Sequence, residues 1–215
     1  MTLYFISGLG ADKRIFERLT FQDSLKIVYI DWVVPIKNES IRDYAIRLSH
    51  KIDSTEPFCI VGLSFGGMIV TELSTIVSPQ KTILISSISS DVERPWYFKI
   101  FKCIPIYKLS SEKILSKSPF FIYKLIGVEN KEDKIVFDAM LLNTNIDFFK
   151  WAIHAIINWK QRKKILNLYH IHGDSDLIFP LKKINPQYVI PKGTHLMVYT
   201  RAEEISNILS KIISI

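Results

Sequence analysis

At 215 residues, with 48% hydrophobic and 23% charged, the chain is sized for one globular domain with a modest insertion. Its formal net charge of +7 is diffuse and comes with no nucleic-acid motif, which sets a nucleic-acid partner aside. No repeat or low-complexity tract is present and no apolar run approaches the ~18 residues of a membrane span; the first apolar run is too short, and lacks a basic leader, for a secretory signal.

In chain order, Thr2 to Ser7 reads as a buried strand, leading into the small-residue turn Ser7-Gly8-Leu9-Gly10. Such a turn can cradle a dinucleotide phosphate or hold a developing oxyanion. Lys26 to Asp31 (KIVYID) is a second strand, β-branched and apolar. Ser40 opens a helix, with Asp43 completing a capping box and Ile41, Ala45, Leu48 and Ile52 at helical spacing. Pro57 to Gly62 is a third strand, Phe65 to Val77 a helix stopped before Pro79, and Lys81 to Ser86 a fourth strand. Continuous apolar strands separated by helices predict a parallel sheet covered on both faces.

The rhythm then breaks. From Asp91 to Lys164 the patterns are helical and aromatic, as in PFFIYKLIG and DFFKWAIHAIINW. This stretch holds 14 Lys and Arg against 8 Asp and Glu, nearly all of the net charge. A solvated lysine-rich face is the plain reading, with contact to a membrane surface left open. Strands return at Leu168 to His172 and Gln187 to Ile190, and an amphipathic helix closes the chain from about Arg201. The expected architecture is α/β, with a core of residues 1–90 and 161–215 and a helical insertion at 91–160. Cys59 and Cys103 share no metal-type spacing and are expected as reduced thiols in a cytoplasmic protein.

The most specific stretch is IVGLSFGGMIV. Gly62-Leu63-Ser64-Phe65-Gly66 matches G-x-S-x-G, set between a strand and a helix as that motif requires. A turn this sharp strains its central residue and needs small neighbours two positions to either side. It exposes the Ser64 hydroxyl and aims the next N–H, that of Phe65, at a forming oxyanion. The hydroxyl needs a base, and the base an orienting acid.

Downstream, His172-Gly173-Asp174-Ser175-Asp176 offers two acids. Asp176 is preferred because Leu177 to Pro180 re-enters the core behind it, and Asp174 stays open. Of five histidines, only His195 lies in a loop beyond the final strand, within reach of both Ser64 and an acid. His154 lies on the insertion's last helix and is read first as a surface or interface residue, with a substrate contact as its rival role.

The stretches FISGLGADKRIF, VGLSFGGM, HIHGDSD with its trailing FP, and KGTHLMVY resemble the α/β-hydrolase superfamily, in particular its compact bacterial members. Together with the last helix they span nearly the whole chain. The resemblance implies an α/β-hydrolase fold with a helical cap, Ser64 as nucleophile, Asp176 as acid and His195 as base. It also implies oxyanion donors from the N–H of Leu9 and of Phe65. Many members carry His-Gly where this chain has Ser7-Gly8, so the bracing of the oxyanion turn falls to a smaller residue.

The expected activity is two-step hydrolysis of a small-to-medium apolar carboxylic ester, with no metal and no organic cofactor. Gly8 and Trp151 are candidate substrate contacts, the latter within an aromatic insertion able to line an apolar pocket. A thioesterase or cofactor-free lyase on the same triad, or a non-catalytic binding homologue, remains the alternative. The dinucleotide reading fails at Lys13, where a small residue is needed, though Asp31 stands about where a ribose-binding acid would.

Overall fold

The computed structural model describes residues 1–103 and 120–214. Six strands form one sheet in the order β2-β1-β3-β4-β5-β6, every neighbouring pair parallel. They are β1 (Thr2–Ile6), β2 (Lys26–Tyr29), β3 (Phe58–Leu63), β4 (Lys81–Ile85), β5 (Leu168–Gly173) and β6 (Tyr188–Ile190). Helices α1 (Ile41–Ser49) and α2 (Phe65–Val77) come after β2 and β3. Between β4 and β5 lie α3 (Phe98–Cys103), α4 (Phe120–Ile126), α5 (Lys131–Leu142) and α6 (Ile146–Asn158), and the chain ends in α7 (Met197–Thr200) and α8 (Ala202–Ser214).

The central strand shows why the sheet is covered twice. All six residues of β3 are buried, and they alternate between two cores. Cys59, Val61 and Leu63 face Ile205, Leu209 and Ile212 of α8. Phe58 and Ile60 face Tyr44 and Leu48 of α1 and Met68 and Ile69 of α2. A strand buried on both faces has no polar alternation to show, which is why it reads as a continuous apolar run.

Capping fixes the helix starts. Ser40 accepts from the Asp43 N–H, as its capping-box spacing predicts, and Asn130 and Asn145 cap α5 and α6 in the same way. The expected strand Lys26 to Asp31 ends at Tyr29. The Ile30 N–H still donates to the Phe5 carbonyl, after which the chain leaves the sheet edge toward Trp32.

The segment between β4 and β5 is packed against the core at several places, among them α6 through Phe148 and Ala152, and its C-cap Trp159. On one side Gly10 packs against Leu141 of α5, Arg14 donates to the Ala139 carbonyl and Arg18 pairs with buried Asp133 at 2.7 Å. On the other, the Leu196 N–H donates to the Ile126 carbonyl, and Gly127 takes a positive φ of 77° hard against Thr194. Any side chain at Gly127 would collide with Thr194. Cys59 is a buried free thiol, whereas the side chains of Cys103, Phe101, Phe120 and Phe121 lie outside the described residues. Among the described residues no helix is long and apolar enough to cross a membrane.

Candidate active site

Ser64 stands between β3 and α2 with φ 52° and ψ −117°, a backbone conformation that L-residues rarely adopt. Glycines make the turn possible. A Cβ on Gly62 would lie 2.4 Å from the Gly66 carbonyl oxygen, and one on Gly66 would lie 2.3 Å from that of Ser7. The turn is further held by the Ser64 N–H donating to the Ile85 carbonyl and by the Ser87 hydroxyl donating to the Ser64 carbonyl at 2.6 Å.

His195 sits between Ser64 and Asp176. Its Nε2 is 2.8 Å from Ser64 Oγ and its Nδ1 is 2.8 Å from Asp176 Oδ2. A carboxylate can only accept, so Nδ1 carries a proton and Nε2 is left to accept from the serine hydroxyl. Asp176 is almost fully buried. Burial alone would raise its pKa, but the charge interaction and hydrogen bond with His195 and the Phe179 N–H outweigh it, and the carboxyl lies below its ordinary value. Its other oxygen, Oδ1, accepts from the N–H groups of Ile178 and Phe179.

Asp174 has a different place. It is exposed, and its Oδ1 accepts from the Lys192 N–H at 2.7 Å, joining the loop after β5 to the loop after β6. The Ser175 N–H donates to the Gly193 carbonyl, and Gly173 lies so close to Gly193 that a Cβ there would sit 2.1 Å from its carbonyl oxygen. These ties carry His195 back to Asp176 across 19 residues of chain.

The opening turn lies against Ser64: a Cβ on Gly8 would be 3.3 Å from that of Ser64. Leu9 is next in the chain, and among the described residues the N–H groups of Leu9 and Phe65 donate to no protein acceptor. Ser7 Oγ donates to the Ala11 carbonyl at 2.8 Å and closes the turn. Beyond Ala11 the chain makes a short 3₁₀ turn, Lys13–Phe16, capped by Asp12, and not an α-helix whose N-terminus could face a pyrophosphate.

Trp151 is a half-buried packing residue. Its ring lies 4.5 Å from that of Tyr44 between centroids, and its indole N–H donates to the Glu39 carbonyl. The aromatic rings beside the opening turn are instead Trp32 and Phe148, 5.1 Å apart. With Gly10, Ala11, Val33 and Met140 they line a cavity of about 230 Å³. Trp32, which also stacks on Phe65 at 5.4 Å, was not singled out by sequence reasoning. His154 is exposed and lines a separate groove of about 1010 Å³ with Arg42, Glu72, Asp91, Trp159 and Arg162, away from Ser64. Among the described residues no three His, Cys, Asp or Glu side chains converge as metal ligands.

A parallel sheet with a strained serine turn at the end of its central strand is the α/β-hydrolase fold, and the chain has that fold. Solved structures agree over its whole length. It superposes on a bromoperoxidase from Bacillus anthracis with a TM-score of 0.80 and 14% identity, covering 100% of this chain and 92% of that one. An esterase from Exiguobacterium antarcticum superposes at 0.78 and 14%, covering 100% and 92%, and a hydrolase from Oleispira antarctica at 0.78 and 13%, covering 99% and 90%. No family model and no curated protein matches the sequence.

Proposed function

We propose that the protein is a serine hydrolase acting on small-to-medium apolar carboxylic esters. The observation that carries this reading is His195 placed 2.8 Å from both Ser64 Oγ and Asp176 Oδ2. In the first step His195 Nε2 takes the hydroxyl proton as Ser64 Oγ bonds to the ester carbonyl carbon. Asp176 holds the imidazole in the tautomer that can do this and stabilises the imidazolium. The oxyanion is met by the N–H groups of Leu9 and Phe65. Collapse breaks the bond to the alkoxy group, which leaves with the proton from His195. A water then attacks the acyl-serine by the same route, giving the carboxylic acid and restoring Ser64.

The helices between β4 and β5 act in this reading as a cap over the site, anchored at Leu141 and at Ile126. The cavity beside the opening turn takes an apolar substrate arm in this reading, against the side formed by Trp32, Val33, Met140 and Phe148, with Asp12 and Asn143 to Asn145 on its polar side. Solved neighbours named as esterases support the choice of ester over other acyl substrates. The test is hydrolysis of p-nitrophenyl esters and thioesters by the protein and by Ser64→Ala. The reading predicts ester turnover that the substitution abolishes. Turnover that survives Ser64→Ala, or that favours thioesters, contradicts it.

A further inference from the structure

The strand that leads to Asp176 carries two histidines that the mechanism leaves unused. Residues of β5 are paired with β4 so that His170 lies beside Leu84, which faces α1 and α2. His172 falls on the same face, two residues on. Both rings are buried and meet edge to face, with centroids 5.2 Å apart. Two histidines in place of aliphatic residues on a covered sheet face need a physical reason.

The reason for His172 lies in its Nε2 atom. It is 2.7 Å from the Phe179 carbonyl oxygen and 3.5 Å from Asp176 Oδ2. A carbonyl only accepts, so Nε2 carries the proton and donates. Burial holds the ring neutral, so it does not compete as a cation with His195 for the carboxylate.

Phe179 is thereby held at three points. Its N–H donates to Asp176 Oδ1 at 2.9 Å, its ring lies 5.7 Å from that of His195, and its carbonyl is fixed by His172. The preceding carbonyls of Leu177 and Ile178 accept from the Tyr97 hydroxyl. The turn Asp176 to Phe179 is thus pinned from β5 below and from the start of the helical insertion on its other side. Without the first pin, the Phe179 carbonyl loses its donor, and the turn that presents the two N–H groups to the carboxylate loses its tie to β5. The titratable groups around His172 are His170, Asp176, His195 and, through the turn, Tyr97.

We propose that His172 is a positioning residue: its Nε2–H bond to the Phe179 carbonyl fixes the turn that aims Asp176 at His195. This rests on the reading of Ser64, His195 and Asp176 as a triad.

The experiment compares the protein with His172→Leu and His172→Gln. Glutamine can still donate to the same carbonyl, whereas leucine cannot. Three readouts are taken: thermal melting, the far-downfield proton resonance of the His195–Asp176 hydrogen bond, and kinetics on a p-nitrophenyl ester. The leucine variant should fold, lose or broaden that resonance, and drop kcat about 10- to 100-fold with KM within about twofold. Glutamine should restore the resonance and most of kcat. If leucine does not fold, His172→Asn, polar but too short to reach the carbonyl, takes its place. A folded variant lacking the donor that keeps both a sharp resonance and full kcat overturns the proposal, as does a folded glutamine variant that restores neither. A resonance that depends on His172 in a protein without esterase activity supports the positioning role while refuting the hydrolase reading. An active enzyme whose resonance ignores His172 refutes the positioning role alone.

Discussion

The Ser7 hydroxyl donates to the Ala11 carbonyl at 2.8 Å and closes the turn that presses Gly8 against Ser64. A residue smaller than the histidine seen in many α/β-hydrolases therefore braces the turn through its own backbone. Ser7→Ala leaves that carbonyl without its partner at a half-buried position. We expect a loss of about 1 kcal/mol in stability and about tenfold in kcat, because the Leu9 N–H is then held less firmly. Ser7→Thr keeps the hydroxyl and should stay near the parent. Denaturant titration and steady-state kinetics on one ester check both.

Asp176 and Asp174 should separate by orders of magnitude. Asp176→Asn keeps the shape but offers His195 a group that can also donate, which favours the wrong tautomer. A fall of about 10⁴ in kcat is expected, as when the acid of a serine triad is amidated. Asp174→Asn keeps the acceptor for the Lys192 N–H and should leave kcat within about threefold. Equal losses at the two positions contradict the assignment of the acid.

These two aspartates also show how far the sequence could be read. The elbow is legible because its demands are local: glycines two positions either side of Ser64, an apolar strand before and a helix after. The order Ser64, Asp176, His195 is legible because chain order and strand ends place the loops together. What separates Asp176 from Asp174 is the reach of a side chain across two loops, and both sit in one turn at a spacing of two. Trp32 lies in an irregular stretch after an edge strand, where no periodicity marks a ring, and its neighbours Phe65 and Phe148 are far off in sequence. Trp151 was visible as an aromatic on a helix, but its N–H bond to Glu39 is a tertiary fact. His170 and His172 read as strand residues, and only their burial reveals them.

Trp32 offers a handle on substrate size. Its ring lines the cavity beside the opening turn, and its indole N–H is buried with no partner among the described residues. Trp32→Ala should enlarge the cavity and move the preferred acyl or alkoxy arm toward longer chains. Trp32→Phe keeps the ring and removes the unpaired donor, so stability should hold or rise slightly. A chain-length series of p-nitrophenyl esters with each variant, beside a melting curve, checks the pair. An unchanged preference in Trp32→Ala places the substrate arm elsewhere.

Acid should destabilise the fold in a window set by the buried histidines. Burial first, then neighbouring His172, pushes the His170 pKa from 6.5 down to about 3. The unfolded chain therefore binds a proton below about pH 6.5 that the folded chain refuses until about pH 3. Stability present above the upper value is lost as pH falls toward the lower one. His172, also depressed from 6.5, acts in the same direction over this window, whereas Asp176, depressed from 3.8, adds its loss only below that value. Urea midpoints should fall steadily from pH 7 to pH 4, and less steeply in His170→Leu. A flat profile in the parent protein, or an equal slope in the variant, contradicts this.

The central claim is that Ser64 is a nucleophile activated by His195, and covalent labelling tests it most directly. A fluorophosphonate probe forms a phosphonyl ester only with a serine whose hydroxyl is activated. Intact-mass and peptide analysis should show one label, on the peptide that contains Ser64, lost in Ser64→Ala and slowed by orders of magnitude in His195→Ala. No label on the folded protein under conditions that label a control hydrolase, or a label elsewhere with Ser64 unmodified, contradicts the account.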